Sequence, residues 1–395
     1  MNSDNSLYDL LNSLPSDSNL QLAYNRYLNI KTAEKRFPYN VSLELSPVCN
    51  FDCQMCYVRM TSEEVKNSGY SLLRFEDWKY YIDGFCELGT ENFSLSGGEC
   101  MLHPDFVKIY EYIYDLNKFV SLITNCSCLN DEIFNMLLKR PPSAIFVTVY
   151  GGSEDTYDKF CKNRKAYNSV VRNIDRLLQA NFNVHILCTL GNGNISDREK
   201  IEKFAYDRGL KVDFAANLMS YGKCNKSKLQ SAQLDLFRMF QQVGSNCNGN
   251  NFYSNYVFPE IDGIVIRKKG LVCSSTKNRC SISWRGTMRP CVTFEPFNLD
   301  PRIHGGIKEC WEKMIAWGDN VPLLEKCQAC LFRYQCTQCV AMHYNDTHEF
   351  GKPSPRLCFK VQHPEEAAKL QAEYDRRQAE KAAAESNNVT EQGDL

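Results

Sequence analysis

Three cysteines lie within eight residues in the stretch SPVCNFDCQMCYVR, directly after an apolar run that is typical of a β-strand. The thiolates of Cys49, Cys53 and Cys56 are soft ligands that suit zinc or iron. A structural zinc site takes four ligands, commonly as CxxC pairs, whereas this stretch offers three. Three thiolates on a loop after a strand therefore favour a 4Fe-4S cluster with one iron open to a ligand from outside the protein.

A second cysteine array lies in the C-terminal third of the chain and includes the stretch CQACLFRYQCTQC. Its eight members are Cys273, Cys280, Cys291, Cys327, Cys330, Cys336, Cys339 and Cys358. CxxC pairs are ordinary zinc ligands, so two zinc sites are one interpretation of the array. Two iron-sulfur clusters are the other, and spacing alone leaves both open.

The elements that must position the first three cysteines form a regular pattern. Six short, apolar stretches alternate with helical stretches, beginning with VSLEL at Val41 and ending with KVDFAAN. Strands that alternate with helices of this length specify a parallel sheet with right-handed crossovers. Six units are too few for a closed eight-fold barrel. We therefore predict an α/β fold whose core is an open, partial (β/α)6 TIM barrel, with function at the C-terminal ends of its strands.

Polar and glycine residues follow several of these predicted strands. They are Gly97, Gly98 and Glu99 after the second, Thr124 and Asn125 after the third, Tyr150 after the fourth and Thr189 after the fifth. Glycines let a backbone approach a ligand closely, and a carboxylate accepts hydrogen bonds from an ammonium group. Each residue alone is an ordinary loop residue. Their joint placement at strand C-termini predicts a ligand site.

The pattern changes along the chain divide it into five segments. Residues 1–40 are expected to be a lead-in, 41–220 the partial barrel, 221–261 a bridging helix and linker, 262–362 a cysteine-rich domain, and 363–395 a charged helix and disordered tail that begins at SNNVTEQGDL. The last segment is rich in alanine and charged on most faces, as expected for a solvated helix.

Bulk composition excludes several classes of function. Lys and Arg total 46 against 47 for Asp and Glu, so the net charge of -1 gives no indication of nucleic-acid or anionic-membrane binding. The N-terminal stretch is polar, and no apolar run is long enough to span a bilayer. We therefore expect a cytoplasmic protein, in which twenty cysteines indicate metal ligation or catalysis rather than a disulfide framework.

The motif CNFDCQMC, with the apolar Met55 and the aromatic Tyr57, resembles the CxxxCxxC motif of the radical S-adenosylmethionine (radical SAM) superfamily. The resemblance implies that the amino and carboxylate groups of SAM bind the open iron, and that an injected electron cleaves SAM to a 5'-deoxyadenosyl radical. Gly97, Gly98 and Glu99 match the family's GGE motif, which receives the methionine amino group. Tyr57 and the polar residues at the other strand ends would then also bind SAM.

The downstream array resembles the SPASM domain of radical SAM enzymes that modify peptides and proteins. The resemblance implies two auxiliary 4Fe-4S clusters, three clusters in all. Auxiliary cluster I would take Cys273, Cys280, Cys291 and Cys339, and auxiliary cluster II would take Cys327, Cys330, Cys336 and Cys358. The match departs from the family pattern at one point, since two residues rather than three separate Cys336 from Cys339.

These resemblances imply an enzyme similar to the maturases of ribosomally synthesised peptides and related to anaerobic sulfatase-maturing enzymes. We predict hydrogen abstraction from a peptide, giving a thioether or carbon-carbon crosslink. The sulfatase-maturing class has an acid directly after the equivalent of Cys291, where this chain has Val292 and the nearest acid is Glu295. An epimerase, in which a thiol such as Cys310 returns a hydrogen atom, and a small-molecule radical SAM dehydrogenase stay open. So does a non-enzymatic zinc- or cluster-bearing interaction or electron-transfer protein.

The expected partners follow from this chemistry. A precursor peptide would be the substrate, and a reductant such as flavodoxin or ferredoxin would supply the electron. Residues 1–40 are too few for a separate leader-recognition domain, so a separate leader-binding protein is a further candidate partner. Glu295 and Cys310 are the candidate catalytic residues for acid-base and thiol roles.

Overall fold

The computed structural model describes residues 18–215, 218, 265–333, 336 and 338–391. A parallel sheet forms its centre, and neighbouring strands in the sheet follow the order of the chain. These strands are Asn40–Ser46 (β1), Asn92–Gly97 (β2), Phe119–Thr124 (β3), Ala144–Thr148 (β4), Val184–Thr189 (β5) and Val212–Ala215 (β6). The α/β fold with a partial (β/α)6 barrel is thus confirmed.

Helices connect consecutive strands and cover the sheet. They are Ser62–Asn67 (α2), Phe75–Glu87 (α3), Phe106–Asp115 (α4), Asp131–Lys139 (α5), Glu154–Cys161 (α6), Ala166–Gln179 (α7) and Arg198–Tyr206 (α8), and Ser18–Lys35 (α1) precedes β1 within the predicted lead-in. Helix α3 shows why these segments are helical. It buries Trp78, Tyr81, Ile82 and Phe85, which the helical period places on one face.

Two short strands that the sequence pattern did not predict extend the sheet beyond β1. Arg279–Ile282 (β7) pairs in parallel with β1, with Cys280 opposite Val41, and Met288–Arg289 (β8) pairs with β7 in antiparallel orientation. The helix that follows, Gly306–Asn320 (α9), packs on α3. At that contact a Cβ atom on Gly84 would lie 2.6 Å from Ile307 Cγ1. Residues from the predicted cysteine-rich domain therefore complete the barrel unit.

The contacts divide the chain into two compact units, and their boundaries differ from the predicted domains. Residues 270–321 belong with the barrel, whereas 322–391 and 265–269 form the second unit. The predicted domain 262–362 is thus split, because pairing of β7 with β1 ties its first half to the sheet. The predicted bridging helix and linker, 221–261, lies outside the described residues.

The described part of the second unit contains short helices and one long helix around a small apolar core. They are Glu325–Gln328 (α10), Val340–Thr347 (α11), Phe359–Gln362 (α12) and Pro364–Glu391 (α13). Its core contains Leu331, Phe332, Phe359 and Leu370, and Cys330 and Cys336 pack against it. The core therefore holds thiols of the second array beside aromatic side chains.

Helix α13 corrects the prediction for the C-terminal tail. The helix continues to Glu391, into the stretch expected to be disordered from residue 386, and residues 392–395 lie outside the described part of the chain. Propagation adds one hydrogen bond for each residue fixed, so a long helix can extend through residues of modest helical propensity. Across the described residues, every helix is too short or too polar to cross a membrane.

Candidate active site

The loop that follows β1 holds Cys49, Cys53 and Cys56, and the structure brings their thiols together. We call residues 49–56 the cysteine loop. The amide of Phe51 donates to Cys49 Sγ at 3.4 Å, and the amide of Arg59 donates to Cys56 Sγ at 3.4 Å. Amide donors of this kind stabilise negative charge on sulfur, and they are expected around the thiolate ligands of an iron-sulfur cluster.

The protein by itself disfavours the ionised form of these thiols. Burial raises the pKa of Cys49 and of Cys56, and Cys53 raises both further, while Cys56 also raises that of Cys49. Metal binding to cysteine requires deprotonation, and the charge of the metal supplies the stabilisation that burial removes. The donor set and its burial therefore fit a bound cluster.

A cleft of about 330 Å³ opens beside the cysteine loop at the C-terminal ends of the strands. Predicted site residues line most of it: Cys49, Cys53, Cys56, Tyr57, Gly97, Gly98, Thr124, Asn125, Tyr150 and Thr189. Its apolar walls contain Met55 and Val292, which the sequence motifs include, and four residues that the sequence did not single out: Phe51, Val58, Ile123 and Leu218. Apolar walls with a few convergent polar groups are the usual form of a small-molecule site.

Gly97 and Gly98 line the cleft where the end of β2 packs against the end of β1. Gly97 has a φ of +139°, a conformation that favours glycine. A Cβ atom on Gly98 would lie 2.6 Å from the carbonyl oxygens of both Pro47 and Val48. The two glycines are therefore needed to pack the end of β2 against the end of β1 while leaving the cleft open.

Glu99 lies outside the lining of the cleft, whereas the sequence predicted that its carboxylate faces the ligand. Its side chain is 0% exposed and does not line the cleft. One carboxylate oxygen accepts from Thr124 Oγ1 at 2.7 Å and from the Met101 amide at 3.1 Å, and the other accepts from the Asn125 amide at 2.8 Å. Burial raises its pKa, and these hydrogen bonds oppose the shift. Glu99 thus positions the end of β3 instead of facing a ligand.

Asn125 connects the end of β3 to the cysteine loop. Its side-chain amide donates to Asn50 Oδ1 at 2.9 Å and lies 3.7 Å from Cys49 Sγ. Its side-chain oxygen, Oδ1, accepts a hydrogen bond from the backbone amide of Ser127 at 2.9 Å. Asn125 therefore both lines the cleft and helps to fix the first cysteine.

Asn194 is a positioning residue that sequence reasoning missed. It is 0% exposed, and its amide donates to the carbonyl oxygens of Tyr150 at 3.1 Å and Thr189 at 2.9 Å. It therefore joins the ends of β4 and β5 behind the cleft. The stretch GNGN after β5 carried the signal, since asparagine side chains in such loops commonly bond to the backbone.

A second cavity of about 190 Å³ shares Tyr57 and Val58 with the cleft. It is lined by Glu44 and Arg289, which form a buried ion pair, and by Glu295. Burial raises the pKa of Glu44, and Arg289 opposes this shift. The predicted acid-base residue Glu295 is therefore part of this neighbouring cavity and does not line the main cleft.

Cys310 is not brought to the cleft. It lies on α9, is 0% exposed, and its thiol donates to the carbonyl oxygen of His304 at 3.6 Å. Helical periodicity buries it together with Ile307, Trp311 and Met314. The structure gives Cys310 a packing role where the sequence had suggested a thiol role.

The four thiols expected to bind auxiliary cluster II are neighbours in the second unit. Charge interactions connect Cys327 and Cys336 to each other and to Cys330 and Cys358. Burial, with smaller contributions from these neighbours, raises the pKa of Cys327 to about 11 and of Cys336 to about 12. The Phe359 amide donates to Cys336 Sγ at 3.2 Å. These features match those of the cysteine loop.

Within the described residues, no three His, Cys, Asp or Glu side chains are gathered closely enough to hold a single metal ion.

The ligands expected for auxiliary cluster I are divided between the two units. Cys273, Cys280 and Cys291 belong to the barrel unit, whereas Cys339 belongs to the second. Cys280 is buried on β7, and Cys291 lies near Tyr57, close to the second cavity. The structure therefore does not bring this set together within one unit.

The cysteine loop, the glycines of β2 and the partial barrel are the features of a radical SAM domain. The sequence model of the radical SAM superfamily matches residues 43–205. Residues 43–205 therefore form a radical SAM domain, and a chain that carries this domain is an enzyme, which removes the non-enzymatic interpretation. SAM and a 4Fe-4S cluster are the cofactors that go with the domain.

Three similar proteins extend the comparison beyond the matched domain. The AdoMet-dependent heme synthase of Methanosarcina barkeri is 24% identical, over 82% of this chain and 97% of that protein. The antilisterial bacteriocin subtilosin biosynthesis protein AlbA of Bacillus subtilis is 21% identical, over 84% of this chain and 75% of that protein. The crystal structure of Streptococcus suis SuiB bound to precursor peptide SuiA superposes on this chain with a TM-score of 0.53. The two are 15% identical, and the match covers 85% of this chain and 79% of that one, so they share the same fold.

The glycine at the end of β2 gives a direct test of the cleft. We expect Gly97→Ala to weaken SAM binding by about tenfold or more, because a Cβ atom would press on the backbone of Ser46. Gly209→Ala is the matched control, since Gly209 also has a positive φ but has open space around its Cβ position. Calorimetric titration of the anaerobically reconstituted proteins with SAM measures the difference. Equal affinities in the two variants would contradict the assignment.

Proposed function

We propose that this radical SAM enzyme oxidatively crosslinks a ribosomally synthesised peptide, forming a thioether or a carbon-carbon bond. The observation that carries the proposal is the group of thiols in the second unit, Cys327, Cys330, Cys336 and Cys358. Four protein ligands fill a four-iron cluster and leave no open iron. A filled cluster suits electron transfer, which an oxidative reaction needs and a redox-neutral one does not.

The balance of the reaction explains the need for an electron acceptor. Reductive cleavage of SAM supplies a 5'-deoxyadenosyl radical, which takes one hydrogen atom from a substrate carbon. Bond formation at that carbon then requires the loss of one proton and one electron. The net change is the removal of two hydrogen atoms from the peptide, with the electron passed to an auxiliary cluster.

The second cavity is our proposed place for the reacting side chain of the peptide. It is separated from the SAM cleft only by the shared wall of Tyr57 and Val58, and about 190 Å³ is enough for one amino-acid side chain. Glu295 lines this cavity and could accept the proton. The buried Glu44–Arg289 ion pair also lines this cavity.

The names of similar proteins support a peptide substrate and also suggest a second candidate. AlbA takes part in bacteriocin biosynthesis, and SuiB is seen bound to a precursor peptide. The heme synthase, however, is matched over nearly its whole length. A tetrapyrrole substrate is therefore the second candidate function.

The sulfatase-maturing and epimerase functions lose support from the geometry. The cleft is lined by Val292, where the resemblance to sulfatase-maturing enzymes would require an acid. An epimerase would need a thiol that can return a hydrogen atom at the active site, and Cys310 is buried elsewhere. We retain auxiliary cluster I, a flavodoxin or ferredoxin reductant, a separate leader-binding protein and a cytoplasmic location as parts of the proposal.

The substrate class can be tested with each short peptide that the genes neighbouring this one encode. We expect reconstituted enzyme, SAM and reductant to produce 5'-deoxyadenosine and to lower the peptide mass by two hydrogen atoms, as measured by mass spectrometry. A segment of the product peptide that yields no fragment ions would contain the crosslink. An unchanged peptide, together with conversion of a tetrapyrrole carboxylate, would establish the second candidate instead.

Removing the thiols of one group at a time separates radical formation from oxidation. The triple change of Cys49, Cys53 and Cys56 to Ala should abolish SAM cleavage and leave the absorption of the auxiliary clusters. The double change of Cys327 and Cys330 to Ala should leave SAM cleavage intact and stop crosslinking, because the electron acceptor is lost. Iron content should fall by about four atoms in each. Bound zinc, or wild-type crosslinking by the double variant, would contradict the proposal.

The role of Glu295 can be tested by measuring how much crosslinked peptide forms for each 5'-deoxyadenosine produced. Glu295→Gln keeps the size of the side chain but removes the proton acceptor, so crosslinking should fall by about 100-fold or more while 5'-deoxyadenosine still forms. Glu202→Gln, at an exposed pair with Arg198 on α8, is the control and should behave as wild type. The ratio of crosslinked peptide to 5'-deoxyadenosine is the measurement. An unchanged ratio would remove Glu295 from the reaction.

A further inference from the structure

Cys161, at the C-terminal end of α6, is a fully buried thiol that lies against the cysteine loop. Its carbonyl oxygen accepts from the Asp52 amide at 2.8 Å, and the carbonyl oxygen of Phe160 accepts from the Gln54 amide at 3.1 Å. Asp52 and Gln54 flank Cys53, so these contacts place Cys161 beside it.

Side-chain hydrogen bonds fix this arrangement further. The side chain of Gln54 donates to the carbonyl oxygen of Lys159 at 3.2 Å, and the side chain of Asn163 donates to the carbonyl oxygen of Asn50 at 3.1 Å. The last carbonyls of a helix have no partner within the helix, so the cysteine loop satisfies groups that would otherwise be orphaned. The end of α6 and the loop therefore hold each other in place.

A side-chain hydrogen bond with Cys161 is the largest contribution to the raised pKa of the Cys53 thiol, so the two side chains lie within contact of each other. Both interact with the buried side chains of Tyr150 and Tyr157, which locates them in the same small region. Both are free thiols and not a disulfide. A second, solvent-shielded thiol thus lies next to an expected cluster ligand.

We propose that Cys161 donates an S–H···S hydrogen bond to the Cys53 thiolate and thereby raises the reduction potential of the SAM-binding cluster. A thiolate that ligates iron has no proton, so the donor must be Cys161. Reduction adds negative charge to the cluster, and a donor to its sulfur stabilises the reduced state more than the oxidised one. Cys161 is therefore a positioning and tuning residue for the first electron transfer. The proposal rests on the radical SAM assignment and not on the identity of the substrate.

The potential of the cluster provides the test. In the reconstituted full-length protein, we expect Cys161→Ala to make the midpoint potential of the SAM-binding cluster more negative. A tenfold change in the reduction equilibrium corresponds to about 59 mV for one electron. Cys161→Ser, which keeps a donor, should stay closer to wild type. Redox titration followed by electron paramagnetic resonance measures all three proteins.

Cys188→Ala is the matched control. Cys188 is 1% exposed and also interacts with Tyr157, so its removal leaves a similar gap near the same aromatic ring without touching Cys53. We expect its potential to equal that of wild type. A wild-type potential in Cys161→Ala, or an equal shift in Cys188→Ala, would overturn the proposal.

A second readout covers the case in which Cys161→Ala fails to hold a cluster. Electron-nuclear double resonance of the reduced wild-type protein should show a proton coupled to the cluster that exchanges in D2O. The same measurement on Cys161→Ser should show an exchangeable proton with an altered coupling. Identical spectra for wild type and Cys161→Ser would refute a donor at residue 161.

Discussion

The buried carboxylate of Glu99 is the interaction on which the geometry of the active site depends. A charge that is withdrawn from water must be met by hydrogen bonds, and the available donors come from Met101 and from the end of β3 at Thr124 and Asn125. Satisfying Glu99 therefore fixes Asn125, which in turn bonds to Asn50 within the cysteine loop. Thus a residue that does not line the cleft determines how the ends of three strands meet around it.

The hydrogen bonds that the buried Glu99 carboxylate requires also show which parts of the site the sequence could predict and which it could not. Cys49, Cys53 and Cys56 were predictable because all three lie on one short loop, where spacing alone limits their distances. Gly97 was predictable because a close backbone approach leaves little choice but glycine. The direction of the Glu99 side chain was not predictable, since it is set by donors 25 residues further along the chain. Asn194 was missed for the same reason, because its partners are the ends of two separate strands.

The domain boundary shows a second limit of sequence reasoning. Strand β7 is only four residues long, and its partner β1 is more than 200 residues away in the chain. The residues around it are rich in cysteine, glycine and aromatic side chains, so neither alternation nor helical periodicity marks it. The cysteines of this segment led to the prediction of a metal-binding domain, whereas its backbone adds strand β7 to the sheet of the barrel. A single segment can supply both structure to one unit and candidate ligands to a cluster.

Tyr57 shows how the chemistry of the first cluster and the shape of the second cavity are connected. The residue follows Cys56 directly, so the position of its ring is set by the same loop that carries the cluster ligands. Tyr57 lines both the cleft and the second cavity. Burial raises the pKa of its hydroxyl, Glu44 raises this pKa further, and Arg289 opposes the shift. The phenol therefore stays protonated and acts as a neutral partition between the two spaces. A neutral wall is suited to this place, because an ionised group there would repel the negative charge that reduction would add to a cluster bound by the cysteine loop.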